Sequence, residues 1–342
     1  MYYGNDDVRV EEMPKPKAGP GELLVKVIAS GICGTDVVEW YRRNKIPLVL
    51  GHEIAGEIVE VGKGIKQYKV GDRVSASHHV PCGICHYCLM GHHTVCDTLR
   101  RTNFDPGGFA EFLRIPAINV EKQGVYLLPE EVSFEEATFI EPLACVIRSQ
   151  KQAGYKKGQT VLIIGSGISG LLHIKLAKAR SFGRIIATDI NDYRLKMASM
   201  SGVDLVINAR ENVPEKVKEF NNNRLADLVI LCTGARQAIE QALKSVDRGG
   251  TILFFASTEE GLTFSFLVNE FFWKNEVTLT SSYAANSQEH LEALELIRSR
   301  KVKVKDMITH RLGLDEIQKG FKLVSEAKES IKIIIEPQRK VK

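Results

Sequence analysis

The hydrophobic positions in the N-terminal part of the chain come in short runs rather than in helical spacing. From Val8 to about Val120 these runs are rich in β-branched residues and are separated by Gly and Pro, as in residues 23–28 (LLVKVI) and 57–61 (EIVEV). Runs of this length and composition are typical of strands. We therefore predict that this part of the chain is mostly β.

Near Gly154 the pattern changes to strand-like apolar runs that alternate with segments of helical period. The predicted strands begin near Val161, Arg184, Asp204, Asp227, Thr251 and Glu276. Six strands in regular alternation with helices predict an α/β domain built on a doubly wound parallel sheet.

Three further elements follow the last strand of this predicted sheet. Two helical segments, Gln288–Arg300 and Leu314–Ala327, precede an apolar strand at Ile331–Ile335, and all three could return to the first domain. The short basic tail, Pro337–Lys342, is expected to fray. A chain of 342 residues suggests about two domains. The predicted boundaries are 1–146 for the first domain, 147–284 for the second, and 285–342 for the C-terminal return.

The charge and hydropathy of the chain give no sign of binding to nucleic acid or membrane. The formal net charge of +4 is small for this length, and no run of five or more like charges suggests an arm for nucleic acid. The N-terminus lacks a basic segment followed by an apolar stretch, and the apolar residues around 161–172 are too short and too glycine-rich to span a bilayer. We therefore expect a cytoplasmic protein that binds a small molecule and neither nucleic acid nor membrane.

A glycine pattern marks the turn between the first strand and the first helix of the predicted parallel sheet. The run VLII at 161–164 leads directly into Gly165, Gly167 and Gly170, spaced as GxGxxG, at the start of a helical segment. Gly165 permits a tight turn, Gly167 lets the backbone approach a pyrophosphate, and Gly170 allows close packing of helix on strand. We predict a dinucleotide site that also includes Ile168 and Thr233.

The end of the second predicted strand indicates which dinucleotide is bound. Asp189 lies nineteen residues beyond Gly170, where a carboxylate can accept hydrogen bonds from the adenosine ribose and repel a 2′-phosphate. This favours NAD over NADP. Arg194 is a further cofactor candidate that could pack on the adenine or attract a phosphate, although a solvated helix residue is an equal alternative.

Four of the seven cysteines fall within one fifteen-residue window. Cys82, Cys85, Cys88 and Cys96 are separated by two, two and seven residues. In a large cytosolic chain such crowding favours metal thiolates over disulfides, and four thiolates fit a closed, tetrahedral structural zinc site. Five nearby histidines are alternative ligands for which solvent-exposed loop positions are expected: His78, His79, His86, His92 and His93.

A catalytic zinc ion needs about three protein ligands and one open position. Candidates outside the cysteine loop are Cys33, in GICGTD, and the adjacent His52 and Glu53, in GHE. Because these residues occur in the same chain as a dinucleotide-binding pattern, they favour a second, catalytic zinc site. Thr35 lies two residues from Cys33 and could relay the substrate proton, the alternative being a hydroxyl that caps the following helix.

With these residues the chain resembles the zinc-containing medium-chain dehydrogenase family over essentially its whole length. The motifs that carry the resemblance are GHEIAGEIVEVG at 51–62, VGDRV at 70–74 and GGFAE at 107–111, followed by the GxGxxG. The resemblance implies a GroES-like, mostly β catalytic domain beside a Rossmann-type domain. It also implies a homo-tetramer, while the cysteine loop and the separate Cys33 and His52 set predict two zinc ions per chain, one structural and one catalytic.

The run FIEPL at 139–143 is similar to the polyol (sorbitol-type) and threonine dehydrogenase branch, in which a glutamate replaces a cysteine ligand. This resemblance implies that Cys33 and His52 bind zinc. It implies that Glu53 and Glu141 act as carboxylates that bind the ion directly or through water, without deciding between them.

The same resemblance implies supporting roles and reveals two departures. Asp36 would orient His52, and Trp40 would line the substrate pocket. Val38 stands where these branches carry a histidine that passes the proton outward, so that Glu39 or water would have to replace it. Ser282 stands where the polyol enzymes carry a pocket arginine.

Three functions compete at this point: a secondary-alcohol or polyol dehydrogenase, an L-threonine 3-dehydrogenase, and a non-enzymatic zinc-binding module. The module leaves the glycine pattern unexplained, and the cysteine loop lacks a basic, aromatic-rich surround. Threonine would need a cation for its carboxylate in a desolvated pocket, and the sequence does not identify one. We therefore predict oxidation of a secondary alcohol or polyol with NAD.

Overall fold

A computed structural model describes residues 1–339, which form two compact units. The first unit comprises Met1–Ala144 together with the segment from Ala284 onwards, and the second comprises Cys145–Tyr283. These limits lie within two residues of the predicted boundaries at 146 and 284. Residues 340–342 of the predicted tail lie outside the described part of the chain.

The strands follow the chain in this order: β1 (Tyr2–Gly4), β2 (Asp7–Val8), β3 (Leu23–Gly31), β4 (Glu53–Val61), β5 (Arg73–Ala76), β6 (Phe112–Ile115), β7 (Val125–Leu127), β8 (Thr160–Ile164), β9 (Arg184–Asp189), β10 (Leu205–Asn208), β11 (Ala226–Leu231), β12 (Val246–Phe254), β13 (Thr278–Ser281), β14 (Ile308–Gly313) and β15 (Lys332–Glu336).

The α-helices are α1 (Glu39–Arg42), α2 (His86–Leu89), α3 (Asp97–Arg101), α4 (Ala117–Glu121), α5 (Phe134–Ala137), α6 (Ile140–Gln152), α7 (Ile168–Ala179), α8 (Asp192–Met200), α9 (Val213–Phe220), α10 (Arg236–Ser245), α11 (Ser287–Arg298) and α12 (Ile317–Glu326). Short 3₁₀ turns lie at Gly34–Val37, His93–Val95, Lys305–Met307 and Leu314–Glu316, and a π-helical turn at Asn269–Trp273. No helix within residues 1–339 has the length and apolar character needed to cross a membrane.

The second unit is built on a six-stranded parallel sheet in the order β10-β9-β8-β11-β12-β13. All five residues of β8 are buried, as expected for a parallel strand with helices on both faces. The strand order reverses between β8 and β11, and such a switch point places the loops after these strands beside a ligand. The predicted doubly wound sheet is therefore confirmed.

The first unit is built on a seven-stranded sheet in the order β14-β15-β3-β4-β5-β7, with β6 paired to β3. The C-terminal strand β15 pairs antiparallel with β3, so that the C-terminal segment completes the sheet of the N-terminal part. On its other side β3 pairs with β4, and the register places Gly31 opposite Glu53. This register brings the end of β3 beside the beginning of β4.

Two local predictions need correction. Strand β12 begins at Val246 rather than near Thr251, because backbone that carries the turn-like residues Asp247 to Gly250 still belongs to the strand. The part of the tail that the structure describes is also anchored rather than frayed. Pro337 is buried, and the Gln338 side chain donates hydrogen bonds to the carbonyls of Val27 and Glu111.

Candidate metal centres and cofactor site

The four cysteines of the 82–96 loop converge on one point. Their sulfur atoms all lie within 4.8 Å of one another. The Sγ atoms of Cys85 and Cys88 are 3.6 Å apart, as are those of Cys82 and Cys96. Thiolates at a Zn–S distance of about 2.3 Å around a tetrahedral ion lie about 3.8 Å from each other. The loop therefore has the geometry of a closed four-thiolate zinc site.

Hydrogen bonds prepare two of these sulfur atoms, those of Cys82 and Cys96, for negative charge, whereas burial raises the pKa of the Cys88 thiol. The N–H groups of Ile84 and Cys85 donate to Cys82 Sγ at 3.5 and 3.3 Å, and these bonds lower the pKa of the Cys82 thiol. Burial opposes ionisation of Cys96, but hydrogen bonds from the backbone and from the Cys82 and Cys85 thiols together outweigh it and lower its pKa to about 6. Lowered thiol pKa values favour the thiolate, which is the form that binds zinc.

A second group of donor atoms forms where β3 ends and β4 begins. The ligand atoms of Cys33, His52 and Glu53 all lie within 4.8 Å of one another. Cys33 follows β3 by two residues, while His52 and Glu53 stand at the start of β4, so that the strand register brings them together. Sulfur, imidazole and carboxylate are a donor set that zinc accepts, and three such ligands leave one position open.

Asp36 contacts two of these three proposed ligands, Cys33 and His52. Its side chain is fully buried, and Oδ2 accepts a hydrogen bond of 3.0 Å from the backbone N–H of Cys33. Oδ1 lies 3.6 Å from His52 Nδ1 and accepts a longer contact of 3.4 Å from Arg42. Burial opposes protonation of His52, yet the charges of Asp36, Cys33 and Glu141 outweigh burial and raise its pKa well above the usual value. The same electrostatic field favours a bound cation.

Glu53 has a partner that sequence reasoning missed. Its carboxylate accepts a hydrogen bond from Lys332 Nζ, and both side chains are buried. Burial raises the pKa of Glu53 against the opposing charge of Lys332. The signal was available, because Lys332 is a charged residue inside the otherwise apolar run IKIII at 331–335.

Glu141, the second residue of α6, does not belong to the set of donor atoms within 4.8 Å. Burial lowers the pKa of His52 and raises that of Glu53, and the charge of Glu141 makes a smaller contribution that raises both. Both predicted carboxylates thus lie near His52, but only Glu53 joins it and Cys33 in the close set.

The expectation that the loop histidines are solvent-exposed is wrong for His78 and His79. The His78 ring lies 4.7 Å from the His52 ring and 3.7 Å from the His79 ring, measured between centroids. Burial lowers the pKa of His78 well below the usual value, and that of His79 to about 4. Both rings are therefore uncharged near neutral pH. They stack on each other, and His78 lies beside the proposed metal ligand His52.

Thr35 and Trp40 occupy the segment that follows Cys33. The helix-cap alternative for Thr35 does not hold, because the side chain that caps the 3₁₀ turn is Cys33. Thr35 Oγ1 instead donates to Cys33 Sγ at 3.3 Å. Trp40 is 39 % exposed and contacts Tyr41 edge to face.

The glycine turn of the second unit has the close approaches that its pattern predicts. Gly165 has a φ of +95°, a conformation that glycine adopts without strain. A Cβ on Gly170 would lie 2.0 Å from the Gly165 carbonyl oxygen, so that only glycine lets α7 pack this closely on β8. Thr233 lies beside the turn, with its Cβ 3.3 Å from a Cβ added at Gly165.

The backbone above Gly167 is open towards a ligand. Gly167 is the N-cap of α7 and Ile168 its first residue, and the nearest atoms to a Cβ on Gly167 belong to the Arg194 guanidinium, at 3.7 Å or more. Free N–H groups at a helix N-terminus suit a phosphate. These features fit a dinucleotide pyrophosphate.

Asp189 ends β9 beside this turn. Its carboxylate accepts hydrogen bonds from the backbone N–H groups of Ser166, at 2.8 Å, and Asn191, at 2.9 Å. Arg194 Nη1 lies 4.0 Å from Asp189 Oδ2. Asp189 thus fixes the glycine turn, and Arg194 lies over it.

Comparison with known proteins agrees with this arrangement. Residues 19–129 match the alcohol dehydrogenase GroES-like domain, and residues 169–299 match the zinc-binding dehydrogenase family. The chain is 32 % identical to the sorbitol dehydrogenase of Bacillus subtilis (strain 168), covering 99 % of this chain and 97 % of that protein. It is 35 % identical to the L-threonine 3-dehydrogenase of Pyrococcus abyssi, covering 95 % of this chain and 93 % of that protein.

A solved structure from Sinorhizobium meliloti 1021, described as a zinc-binding dehydrogenase bound to NADP, superposes with a TM-score of 0.86. It is 26 % identical, and the match covers 98 % of this chain and 97 % of that one.

Proposed function

We propose that this chain, which belongs to the zinc-containing medium-chain alcohol dehydrogenase family, transfers a hydride from a secondary alcohol or polyol to NAD. Its family membership makes it an oxidoreductase that acts on alcohols with zinc and a nicotinamide cofactor. The observation that carries the proposal is the set of Cys33, His52 and Glu53 donor atoms within 4.8 Å, in a chain that also carries the glycine turn.

Cys33 and His52 would hold the catalytic zinc ion, with Glu53 or Glu141 as the third ligand. When bound, such an ion supplies a Lewis acid that lowers the pKa of a hydroxyl group and stabilises the alkoxide from which hydride departs. Asp36 keeps the imidazole of His52 oriented and basic. Four thiolates at Cys82, Cys85, Cys88 and Cys96 would hold a second, structural ion.

Thr35 would take the hydroxyl proton of the substrate. Its Oγ1 donates to Cys33 Sγ in this structure, which leaves the oxygen lone pairs available to accept a hydrogen bond. Val38 cannot pass the proton onward. Glu39, the next residue, is exposed, and its Oε1 accepts a hydrogen bond from the backbone N–H of Asn5 at 3.2 Å. We assign the outward transfer to Glu39 or to water.

Gly165, Gly167, Ile168 and Gly170 would hold the dinucleotide, with Thr233 beside the turn. Asp189 supports NAD over NADP, because a buried carboxylate beside the turn disfavours a 2′-phosphate. Arg194 lies over the same turn and would contact the cofactor. A higher kcat/KM with NADP than with NAD would contradict the proposed preference.

The proposal includes assembly into a homo-tetramer in the cytoplasm. Strand β13 stands at the edge of the parallel sheet, and Leu267, Val268 and Trp273 of the same unit are more than half exposed. Unpaired strand edges and clustered apolar side chains favour association with another chain. Four free thiols need a reducing compartment to stay available for metal, which supports a cytoplasmic location.

The test is a screen of polyols, sugar alcohols, small secondary alcohols and L-threonine, with zinc-replete protein and either NAD or NADP. Reduction of NAD by a secondary alcohol or polyol supports the proposal. L-Threonine is the second candidate substrate, favoured by the relative that is an L-threonine 3-dehydrogenase. A kcat/KM on L-threonine about tenfold above that on every other alcohol would select it.

A further inference from the structure

Arg210 stands beside Asp189, the residue proposed to face the adenosine ribose. Strands β9 and β10 pair in parallel with Asp189 opposite Asn208, and the backbone N–H of Ala209 donates to the Asp189 carbonyl oxygen at 2.9 Å. Arg210 is the next residue, and its Nη1 donates to the carbonyl oxygen of Ile190 at 2.7 Å. The guanidinium therefore lies against the backbone that directly follows Asp189.

Arg210 has no ion-pair partner among residues 1–339, and its side chain is exposed. The adjacent Glu211 is engaged elsewhere. Its Oε2 lies 3.0 Å from Lys216 Nζ, and its Oε1 accepts a hydrogen bond from the backbone N–H of Asn208 at 3.2 Å. The bond to Ile190 uses one N–H of the Arg210 guanidinium, so that the other N–H groups remain for a ligand.

Arg194 brings a second guanidinium to Asp189. Its Nη1 lies 4.0 Å from Asp189 Oδ2, and its Nε is shielded from solvent and has no hydrogen-bond partner among the described residues. The carboxylate oxygens of Asp189 already accept the backbone N–H groups of Ser166 and Asn191, at 2.8 and 2.9 Å. Two arginines therefore stand near one buried carboxylate whose charge is already stabilised by two amides.

The place of these arginines in the sheet indicates which anion they suit. A carboxylate at the end of the second strand of a dinucleotide-binding sheet accepts hydrogen bonds from the adenosine ribose, which puts the ribose 2′ position beside Asp189. NADP carries a phosphate at that position. Arginine suits phosphate well, because its planar guanidinium donates two parallel hydrogen bonds. Asp189 repels this phosphate, whereas Arg210 and Arg194 attract it.

We propose that Arg210, together with Arg194, forms a subsite for the 2′-phosphate of NADP, so that the chain accepts NADP as a second cofactor while Asp189 keeps NAD preferred. Asp189 sets the direction of the preference, and Arg210 limits its size. This subsite rests on the proposed dinucleotide site and adds a second cofactor to it.

Two nucleotides that differ only in the 2′-phosphate test this subsite without turnover. They are 5′-AMP and adenosine 2′,5′-bisphosphate, and calorimetry measures their binding to the zinc-replete full chain. We expect the wild type to bind the bisphosphate no more than about thirtyfold more weakly than 5′-AMP. Added salt should weaken binding of the bisphosphate more than that of 5′-AMP, because Arg210 is exposed to solvent.

Substitutions at exposed arginines locate the effect. Arg210→Gln should weaken binding of the bisphosphate about tenfold more than it weakens binding of 5′-AMP. Arg210→Lys should retain part of this difference, because lysine keeps the charge but not the planar guanidinium. The control is Arg248→Gln, since Arg248 is also exposed but lies near the beginning of β12, at the opposite edge of the parallel sheet from the end of β9. This control should bind both nucleotides as wild type does.

Turnover provides a second readout. With an alcohol that the enzyme oxidises, Arg210→Gln should lower the ratio of kcat/KM for NADP to that for NAD by about tenfold. Bisphosphate binding that Arg210→Gln does not change would overturn the subsite, and so would a wild type that binds the bisphosphate more than about thirtyfold more weakly than 5′-AMP. If no alcohol is oxidised with either cofactor but bisphosphate binding still depends on Arg210, the proposed function fails while the subsite stands.

Discussion

Lys332 and Glu53 form an ion pair whose two side chains are 0 and 1 % exposed. Breaking a buried pair leaves one charge without compensation, which costs about 3–5 kcal/mol. We therefore expect Lys332→Met to lower the free energy of unfolding by about that amount in denaturant titrations. The exposed Lys328→Met should change it by no more than about 0.5 kcal/mol.

The double variant Glu53→Gln/Lys332→Met separates charge from packing. It removes both charges and should recover a large part of the lost stability, since neutral replacements of a buried pair are often tolerated. A Lys332→Met protein as stable as wild type would show that the pair does not act as described.

His173 is fully buried in α7, and burial lowers its pKa to about 3. Gln150 Nε2 can only donate, so His173 Nδ1, at 3.3 Å, accepts and the ring proton lies on Nε2. Between the unfolded pKa of 6.5 and about 3 the unfolded chain therefore binds one more proton than the native chain at this site. Stability must fall as the pH is lowered through this window, by up to about 1.4 kcal/mol per pH unit.

The variant His173→Phe removes this titration and retains the ring that packs against Phe255. Its free energy of unfolding should therefore decline less steeply than that of wild type between pH 6.5 and pH 4. Metal loss at low pH affects both proteins, so the difference between their slopes isolates His173. Parallel slopes would contradict the assignment.

At the scale of single residues, the sequence predicted the candidate metal ligands better than the residues that contact them. Residue type and the presence of the glycine pattern in the same chain predicted Cys33, His52 and Glu53. Their donor atoms lie within 4.8 Å of one another in the structure. Lys332 lies 279 residues from Glu53 in the chain, so that only the pairing of β15 with β3 and of β3 with β4 connects them. Hydrophobic periodicity carries no information on such long-range contacts.

At the scale of one element, two glycines of the turn between β8 and α7 have different roles: Gly170 is needed for folding, and Gly167 for cofactor binding. An alanine at Gly170 would place its Cβ 2.0 Å from the Gly165 carbonyl oxygen, which should destabilise the fold by about 1–3 kcal/mol. An alanine at Gly167 meets only the flexible Arg194 side chain, at 3.7 Å. It should cost no more than about 1 kcal/mol, the effect of alanine at a helix N-cap.

The expected loss in Gly167→Ala is in cofactor affinity, because its Cβ would occupy the space where a pyrophosphate approaches the backbone. Calorimetry should show NAD binding weakened by about tenfold or more, while thermal unfolding stays close to wild type. Unchanged NAD affinity in this variant would contradict the position assigned to the pyrophosphate.

Elements of the parallel sheet were easier to predict than those of the first unit. Strands such as β8 and β9 are apolar runs bounded by glycine or by polar residues, and their predicted starts agree within one residue with the structure. Short helices such as α2 and α3 have too few residues to show a period, and they form around the cysteine cluster instead. The positions of His78 and His79 could not be predicted either, because they depend on how an irregular loop folds and this segment has no period that the sequence could reveal.

Association of whole molecules is predicted to use the apolar surface of the second unit. Trp273 is 72 % exposed and Leu267 65 % exposed, in the segment of the chain that precedes the edge strand β13. Wild type should sediment as an oligomer, and Leu267→Glu/Trp273→Glu should shift it to smaller species, because charge is unfavourable in a buried apolar contact. The control Met200→Glu, also at an exposed apolar position, should leave the mass unchanged. A monomeric wild type would contradict the proposed assembly.

Two proposed metal centres in one chain have separate tasks, one in catalysis and one in folding. Zinc content and turnover measured together on wild type, Cys33→Ser and Cys85→Ser test that division most directly. Wild type should hold two zinc ions per chain, and Cys33→Ser should stay folded with its structural ion while losing turnover by about a hundredfold or more. Cys85→Ser should instead lose folding stability together with its structural ion. A folded Cys33→Ser protein that oxidises alcohols at the wild-type rate would contradict the catalytic site proposed here.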